Sequence, residues 1–233
     1  MNKYLQEIIK ILEEIDKTEQ GRMQRASEKV AEVIKNDGII YVFGCGHSHL
    51  PCLDAFYRAG GLANVSPILD CDLMLHNGAS KSSRMEKMPN IGREVLRRYA
   101  LTEKDILIVI SASGKNAVPC EMVESAKLQG IYTISIASSV YEKVGGKLLQ
   151  LADLGIDSKV VYGDAVITVG ENTMGGLSTY ASMFILNSIL IDGAKLAHEQ
   201  GVQAPIYKSG NIDGGKEFNL ALEKKYFTRV KHL

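Results

Sequence analysis

Ile106–Asn116 reads ILIVISASGKN, an apolar run that ends in a turn of serines, glycine and asparagine. A short continuous apolar run is typical of a β-strand that is covered on both faces. A similar run at Ile39–Phe43 ends in Gly44–His49, which reads GCGHSH. The two stretches predict two buried strands, each followed by a polar, glycine-containing turn.

Further strands and helices alternate along the chain. Runs like the first two predict strands at Ile131–Ile136 and Ala165–Val169, with shorter candidates at Val65–Leu69 and Leu154–Ile156. Helices are predicted at Pro51–Tyr57, Ile91–Tyr99, Val118–Gln129 and Thr173–His198. This alternation predicts a three-layer α-β-α fold of the α/β class, with a parallel sheet of five or six strands.

The chain reads as a single domain over residues 1–233. Apolar residues at helical spacing predict an N-terminal helical pair within residues 1–36, with the second helix running from Glu19 to Lys35. The sheet core would occupy residues 38–200 and a C-terminal segment residues 201–233. We find neither an internal repeat nor a linker rich in proline, serine or charge.

Composition excludes several classes of partner. Lys and Arg together number 27, as do Asp and Glu, so no net positive charge favours nucleic acid or a membrane surface. No apolar run approaches the roughly 18 residues that a membrane span needs. The four cysteines form no C-x-x-C pair, which is typical of reduced thiols, and we expect a cytoplasmic protein.

The turn after Ile106–Ile110 has the chemistry of an anion site. Ser111 and Ser113 each offer a hydroxyl, Gly114 lets a ligand approach the backbone, and Asn116 adds an amide. The N–H groups that begin the next helix would point into the same space, and the helix dipole favours negative charge there. The alternative is that these residues only cap the helix and turn the chain.

Gly44–His49 fits the common nucleotide motifs poorly. G-x-G-x-x-G requires a third glycine where His49 stands, and no Walker loop is present. His47 and His49 lack a nearby third ligand, so we expect no metal and no other cofactor. Three roles remain open for this pair: contact with a sugar, acid–base catalysis by His47, and structural hydrogen bonding.

ISASGKN and the earlier FGCGHSH resemble the sugar isomerase (SIS) domain. GHSHL, MPNIGREVLRRY and SGNIDGGKEFNLALEKKY resemble UPF0309 proteins, a SIS subgroup related to phosphoheptose isomerase. The resemblance implies a flavodoxin-like sheet, a homodimer or dimer of dimers, and a phosphorylated sugar at the carboxyl edge of the sheet. It implies roles in two groups: phosphate binding by Ser111, Ser113, Gly114 and Asn116, and sugar binding by Gly44, Gly46, Ser48 and His49.

The resemblance also suggests catalytic carboxylates. Phosphoheptose isomerases carry a glutamate on the helix after the first turn, where the nearest carboxylate of this chain is Asp54. VGENTMGGLSTYAS is similar to the segment that opens the last helix in the isomerase half of glucosamine-6-phosphate synthase, which implies Glu171 beside the sugar. We therefore expect an aldose–ketose isomerase that acts on a sugar phosphate or amino sugar phosphate. The alternatives are a phosphosugar-sensing module and an amino sugar phosphate deaminase or etherase.

Overall fold

The computed structural model describes all 233 residues. Its helices are α1 (Lys3–Lys35), α2 (Leu50–Ala55), α3 (Ala79–Met85), α4 (Ile91–Leu96), α5 (Ala117–Leu128), α6 (Leu148–Leu151), α7 (Ser178–Glu199) and α8 (Gly215–Tyr226). Its strands are β1 (Ile40–Gly44), β2 (Val65–Ile68), β3 (Ile106–Ile110), β4 (Tyr132–Ala137), β5 (Leu154–Asp157), β6 (Ala165–Val169) and β7 (Asn172–Gly176). None of the helices combines the length and the apolar character that crossing a lipid bilayer requires.

The central sheet is parallel and has five strands in the order β2-β1-β3-β4-β5. The predicted α/β fold is confirmed, and the lower of the two predicted strand numbers is correct. The chain leaves β1 toward β2 on one side, and it returns to β3 on the other side of β1. This reversal leaves a crevice between β1 and β3, which is where open α/β sheets usually bind their ligands.

The two faces of the sheet build two separate cores. Ile40 and Val42 pack into the cluster that contains α1 and α7, whereas Tyr41 and Phe43 pack into the cluster that contains α4, α5 and α8. Successive side chains of a strand point to opposite faces, so an uninterrupted apolar run fills both cores.

The prediction of an N-terminal helical pair is wrong, because α1 is one helix of 33 residues. The predicted break lies between Ile15 and Glu19, yet the buried face continues from Ile15 to Met23 without interruption. This stretch has no proline, and a side chain at Gly21 would meet no neighbouring atom. A glycine inside a helix costs only about 1 kcal/mol, which packing along such a long face outweighs.

The predicted strand Ala165–Val169 exists, but it is not part of the buried sheet. It pairs antiparallel with β7 in a hairpin, and its residues are half-buried or exposed. The hairpin also takes up the first residues of the helix predicted at Thr173–His198, and α7 therefore begins at Ser178. An apolar run alone did not distinguish a buried strand from a strand of a surface hairpin.

Candidate functional site

The two polar turns lie side by side at the carboxyl edge of the sheet. Gly44, the last residue of β1, is the register partner of Ile110, the last residue of β3. The turns that follow these residues therefore leave adjacent strands at the same level, on either side of the crevice where the strand order reverses. The structure thus brings together the predicted sugar-binding and phosphate-binding residues.

The turn after β3 presents unused N–H groups. Gly114 has a left-handed φ of 56°, and its N–H donates to Ser111 Oγ at 3.2 Å. The hydroxyl of half-buried Ser113 makes no hydrogen bond within the chain. Four main-chain N–H groups of the turn also donate no hydrogen bond within the chain: those of Ser113, Lys115, Asn116 and Ala117. Consecutive N–H groups around a left-handed residue form a concave cradle for an anion.

Helix α5 begins at Ala117, the last residue of this cradle. Its Val118 N–H donates to the carbonyl of Glu86 at 3.1 Å, and its third residue, Pro119, has no N–H. The side chain of Asn116 also turns to Glu86, since its Nδ2 donates to the Glu86 carboxyl at 2.6 Å. Asn116 thus presents its backbone N–H to the cradle while its amide is held by a neighbour.

The turn after β1 is a single 3₁₀ turn, Gly46–His49. Gly46 is left-handed with a φ of 57°, and a side chain at Gly44 would overlap the Ser48 carbonyl, so both glycines are required by the turn. His49 is buried, with Nδ1 on the Gly46 carbonyl, whereas His47 is exposed. No group of three or more His, Cys, Asp and Glu side chains in the chain is arranged to hold a metal ion.

Asp54 lies on the side of α2 that faces α7. It forms an ion pair with Arg58, and its Oδ2 accepts a hydrogen bond of 3.1 Å from Asn187 Nδ2. Both carboxylate oxygens are thereby engaged near the end of α2 that is far from the turns. Glu171 is exposed in the turn between β6 and β7, outside the central sheet.

Glu86 lies beside the candidate site, and the sequence did not predict this. It is the residue that ends α3, and this helix packs against both the 3₁₀ turn after β1 and the 3₁₀ turns that follow β2. An acidic residue at a helix C-terminus opposes the helix dipole, and this was the one signal in the sequence that could have pointed to it. Its contacts with Asn116 and Val118 come from tertiary packing, which the sequence pattern does not reveal.

Burial controls the ionisation of the groups beside the turns. Desolvation raises the pKa of Glu86, although nearby Lys87 opposes the change. Desolvation also raises the pKa of Cys45, and the Glu86 carboxylate adds to that effect. Cys45 is therefore a neutral core thiol and no nucleophile. The Glu86 carboxyl contacts the second turn through Asn116, and the helix that it ends packs against the first turn.

Comparisons with known proteins agree with this architecture. Residues 3–138 match the SIS domain. A UPF0309 protein of Thermoanaerobacter pseudethanolicus is 38% identical over 243 residues, covering 99% of this chain and 98% of the relative. The sugar isomerase domain of an RpiR transcription factor from Sphaerobacter thermophilus has a TM-score of 0.54 at 14% identity, with 96% of each chain covered. Phosphoheptose isomerase GmhA from Neisseria gonorrhoeae has a TM-score of 0.54 at 18% identity, covering 81% of this chain and 94% of that chain. The chain belongs to the SIS domain family and, within it, to the UPF0309 proteins.

Proposed function

We propose that the crevice between the turns after β1 and β3 binds a sugar phosphate or amino sugar phosphate and that the chain interconverts its aldose and ketose forms. The cradle of N–H groups from Ser113 to Ala117 carries this proposal. It offers several backbone donors to one tetrahedral anion, at the beginning of a helix whose dipole adds to the attraction.

In this proposal each turn binds a different part of the ligand. The Ser111 and Ser113 hydroxyls and the adjacent N–H groups hold the phosphate, while the turn from Gly44 to His49 contacts the sugar hydroxyls. Exposed His47 is the side chain of that turn best placed to exchange protons with sugar oxygens. Isomerisation needs such an exchange, together with a base that moves a proton between two adjacent carbons.

Calorimetry with a panel of hexose, heptose and hexosamine phosphates tests the phosphate site. A Ser111→Ala/Ser113→Ala double variant should lose at least about tenfold in affinity for any phosphate ester that the parent binds, because each lost hydrogen bond to a charged group is worth about 1.5–3 kcal/mol. Ser188→Ala on α7 is the matched control and should bind like the parent, since this serine lies outside the cradle. Equal dissociation constants for the double variant and the parent would refute the phosphate site.

A second candidate is a sensor that binds the phosphosugar without turning it over. The positions of Asp54 and Glu171 favour it, because neither expected carboxylate stands between the two turns. The RpiR likeness also shows that this fold occurs in a transcription factor. NMR in deuterated water separates the candidates: an isomerase exchanges the hydrogen at the second carbon of the sugar, and a sensor does not. Release of ammonia or of an ether-linked acid from the same panel would instead indicate a deaminase or an etherase.

We further propose that the protein forms a homodimer or a dimer of dimers. Large apolar side chains are exposed on α2 and α7, among them Leu53 at 39% and Ile191 at 53%. Burial against a second copy would remove this apolar surface from water. Sedimentation equilibrium measures the mass directly, and a monomer at all concentrations would refute this assembly.

A further inference from the structure

Glu86 stands between the two turns of the site. Its carboxyl accepts from Asn116 Nδ2 at 2.6 Å, and its carbonyl accepts from Val118 N–H at 3.1 Å. The helix that it ends packs against the 3₁₀ turn after β1. Glu86 is therefore fixed at its backbone and its side chain to the second turn and the start of α5, at the end of a helix that contacts the first turn.

The other carboxylates that follow strands of the sheet are already engaged. Asp70, after β2, accepts from Arg98 at 3.0 Å. Asp157, at the end of β5, accepts from Ser139 Oγ at 2.5 Å and from Lys159 Nζ at 3.2 Å. Each of these carboxylates is already paired with a cation, so neither stands as an unpaired base at this edge of the sheet.

Glu86 differs from them in its partner and its environment. Its hydrogen-bond donor is a neutral amide, and it forms no ion pair. Half-burial disfavours its charged form, which raises its pKa above that of an ordinary glutamate. A carboxyl whose pKa is raised toward neutrality is better matched to both accepting and returning a proton than a salt-bridged one.

We propose that Glu86 is the acid–base residue of the sugar phosphate isomerisation, in place of Asp54 and Glu171. This inference rests on the proposed function and names the group that performs its central step. The phosphate in the cradle fixes one end of the open-chain sugar, and Glu86 on the adjacent wall faces the carbons beyond it.

The step conserves protons and electrons. The Glu86 carboxylate takes the proton from the second carbon of the aldose, and the electron pair of that C–H bond becomes the double bond between the first and second carbons. The carbonyl electron pair moves to the first oxygen, which receives the proton that the second oxygen gives up. Glu86 then returns its proton to the first carbon, and the second oxygen closes the new carbonyl.

Glu86→Gln is the decisive variant. Glutamine has the same shape and keeps an oxygen that accepts from Asn116, but it cannot take a proton. Exchange of the hydrogen at the second carbon, followed by NMR in deuterated water, should fall about 100-fold or more, since acid–base groups typically contribute a factor of about 10² to 10⁴. Affinity for the same sugar phosphate in calorimetry should stay within about threefold, because the cradle is unchanged.

Three further variants complete the experiment. Asp54→Asn and Glu171→Gln should exchange at the parent rate, since neither residue stands at the crevice. Glu86→Asp keeps a carboxyl one methylene shorter and should recover part of the activity that Glu86→Gln loses. Thermal unfolding near pH 7 checks the fold: Glu86→Gln should unfold at the parent temperature or above it, because it removes a charge that burial disfavours.

The outcomes separate this inference from the proposed function. If the parent binds no phosphate ester of the panel, the proposed function fails, and the role of Glu86 fails with it. Binding without exchange in the parent would keep the phosphosugar site and overturn the role of Glu86. Exchange by Glu86→Gln at the parent rate would keep the isomerase and overturn the role of Glu86 alone.

Discussion

Two left-handed glycines shape the site at the scale of single residues. Gly46 and Gly114 have φ values of 57° and 56°, and each lies in a turn that directly follows a central strand. This conformation disfavours residues with a Cβ atom, and it turns successive N–H groups toward one side of the chain. The candidate ligand would therefore be held mainly by backbone, and the position of that backbone depends on these glycines.

Gly114→Ala should weaken both the fold and the phosphate site. Alanine would be held at a φ that it disfavours, and its Cβ would lie 2.8 Å from Leu148 Cβ. We therefore expect a loss of about 1–3 kcal/mol in the free energy of unfolding. Phosphate ester affinity should fall as the turn shifts. Urea denaturation and calorimetry measure the two effects.

Gly130→Ala is the matched control for that substitution. Gly130 is also left-handed, with a φ of 74°, but a Cβ there would meet no atom within 4 Å. We expect it to lose only the conformational part, about 1 kcal/mol, and to keep the parent's ligand affinity. Unchanged affinity in Gly114→Ala would show that the turn does not form the phosphate site.

The candidate site could be predicted from sequence where it is local. The serines and glycine of Ser111–Gly114 follow a strand directly, so their type and position sufficed to identify a turn at the carboxyl edge. Glu86 could not be predicted in this way, because its role depends on the packing of α3 against a turn 30 residues further along the chain. The resemblance suggested Asp54 as a catalytic carboxylate. In the structure Asp54 forms an ion pair with Arg58 and accepts a hydrogen bond from Asn187.

At the scale of elements, buried strands were easier to predict than surface ones. β1, β3 and β4 are covered on both faces, and a continuous apolar run is typical of that environment. β6 carries a similar run in a surface hairpin, where its residues are half-buried or exposed. Whether such a run joins the central sheet depends on strand pairing, and single-strand patterns contain no information on pairing.

Gly21→Ala tests the continuity of α1. Gly21 lies inside the helix, and an added Cβ would meet no atom within 4 Å. Alanine has the higher helix propensity, so the free energy of unfolding should rise by about 0.5–1 kcal/mol in urea denaturation. A loss of stability would contradict an uninterrupted helix through this position.

A second helical glycine provides the control for this change. Gly193 lies inside α7, and a Cβ there would overlap the side chain of Val30 on α1. Gly193→Ala should therefore destabilise the protein, by about 1–3 kcal/mol, despite the same gain in helix propensity. Opposite signs for the two substitutions would show that packing between α1 and α7, and not propensity, distinguishes the two positions.

At the scale of the whole molecule, a buried charge network joins distant parts of the chain. Glu19, in the middle of α1, is only 1% exposed and pairs with Lys159 at 2.7 Å. The same lysine pairs with Asp157 at 3.2 Å, and the Asp157 N–H donates to Glu19 at 3.3 Å. This network fixes α1 to the end of the edge strand β5, so it links the longest helix to the carboxyl edge that carries the candidate site.

Asp157→Asn should make stability less dependent on pH. Burial alone would raise the pKa of Asp157, but hydrogen bonds from Ser139 and the charge of Lys159 outweigh it, so the pKa is lowered on folding. A lowered pKa contributes stability above the unfolded value of about 3.9, and this contribution is lost as the pH falls through the folded value. At about pH 7 the variant should therefore be less stable than the parent by about 1–3 kcal/mol, and at about pH 3 the difference should shrink.

Urea denaturation at both pH values measures this difference in stability. The control is Asp192→Asn, which removes only an exposed ion pair with Lys195 and should stay within about 0.5 kcal/mol of the parent. A difference between Asp157→Asn and the parent that stayed constant down to low pH would mean that the packing of this side chain, and not its charge, stabilises the edge of the sheet.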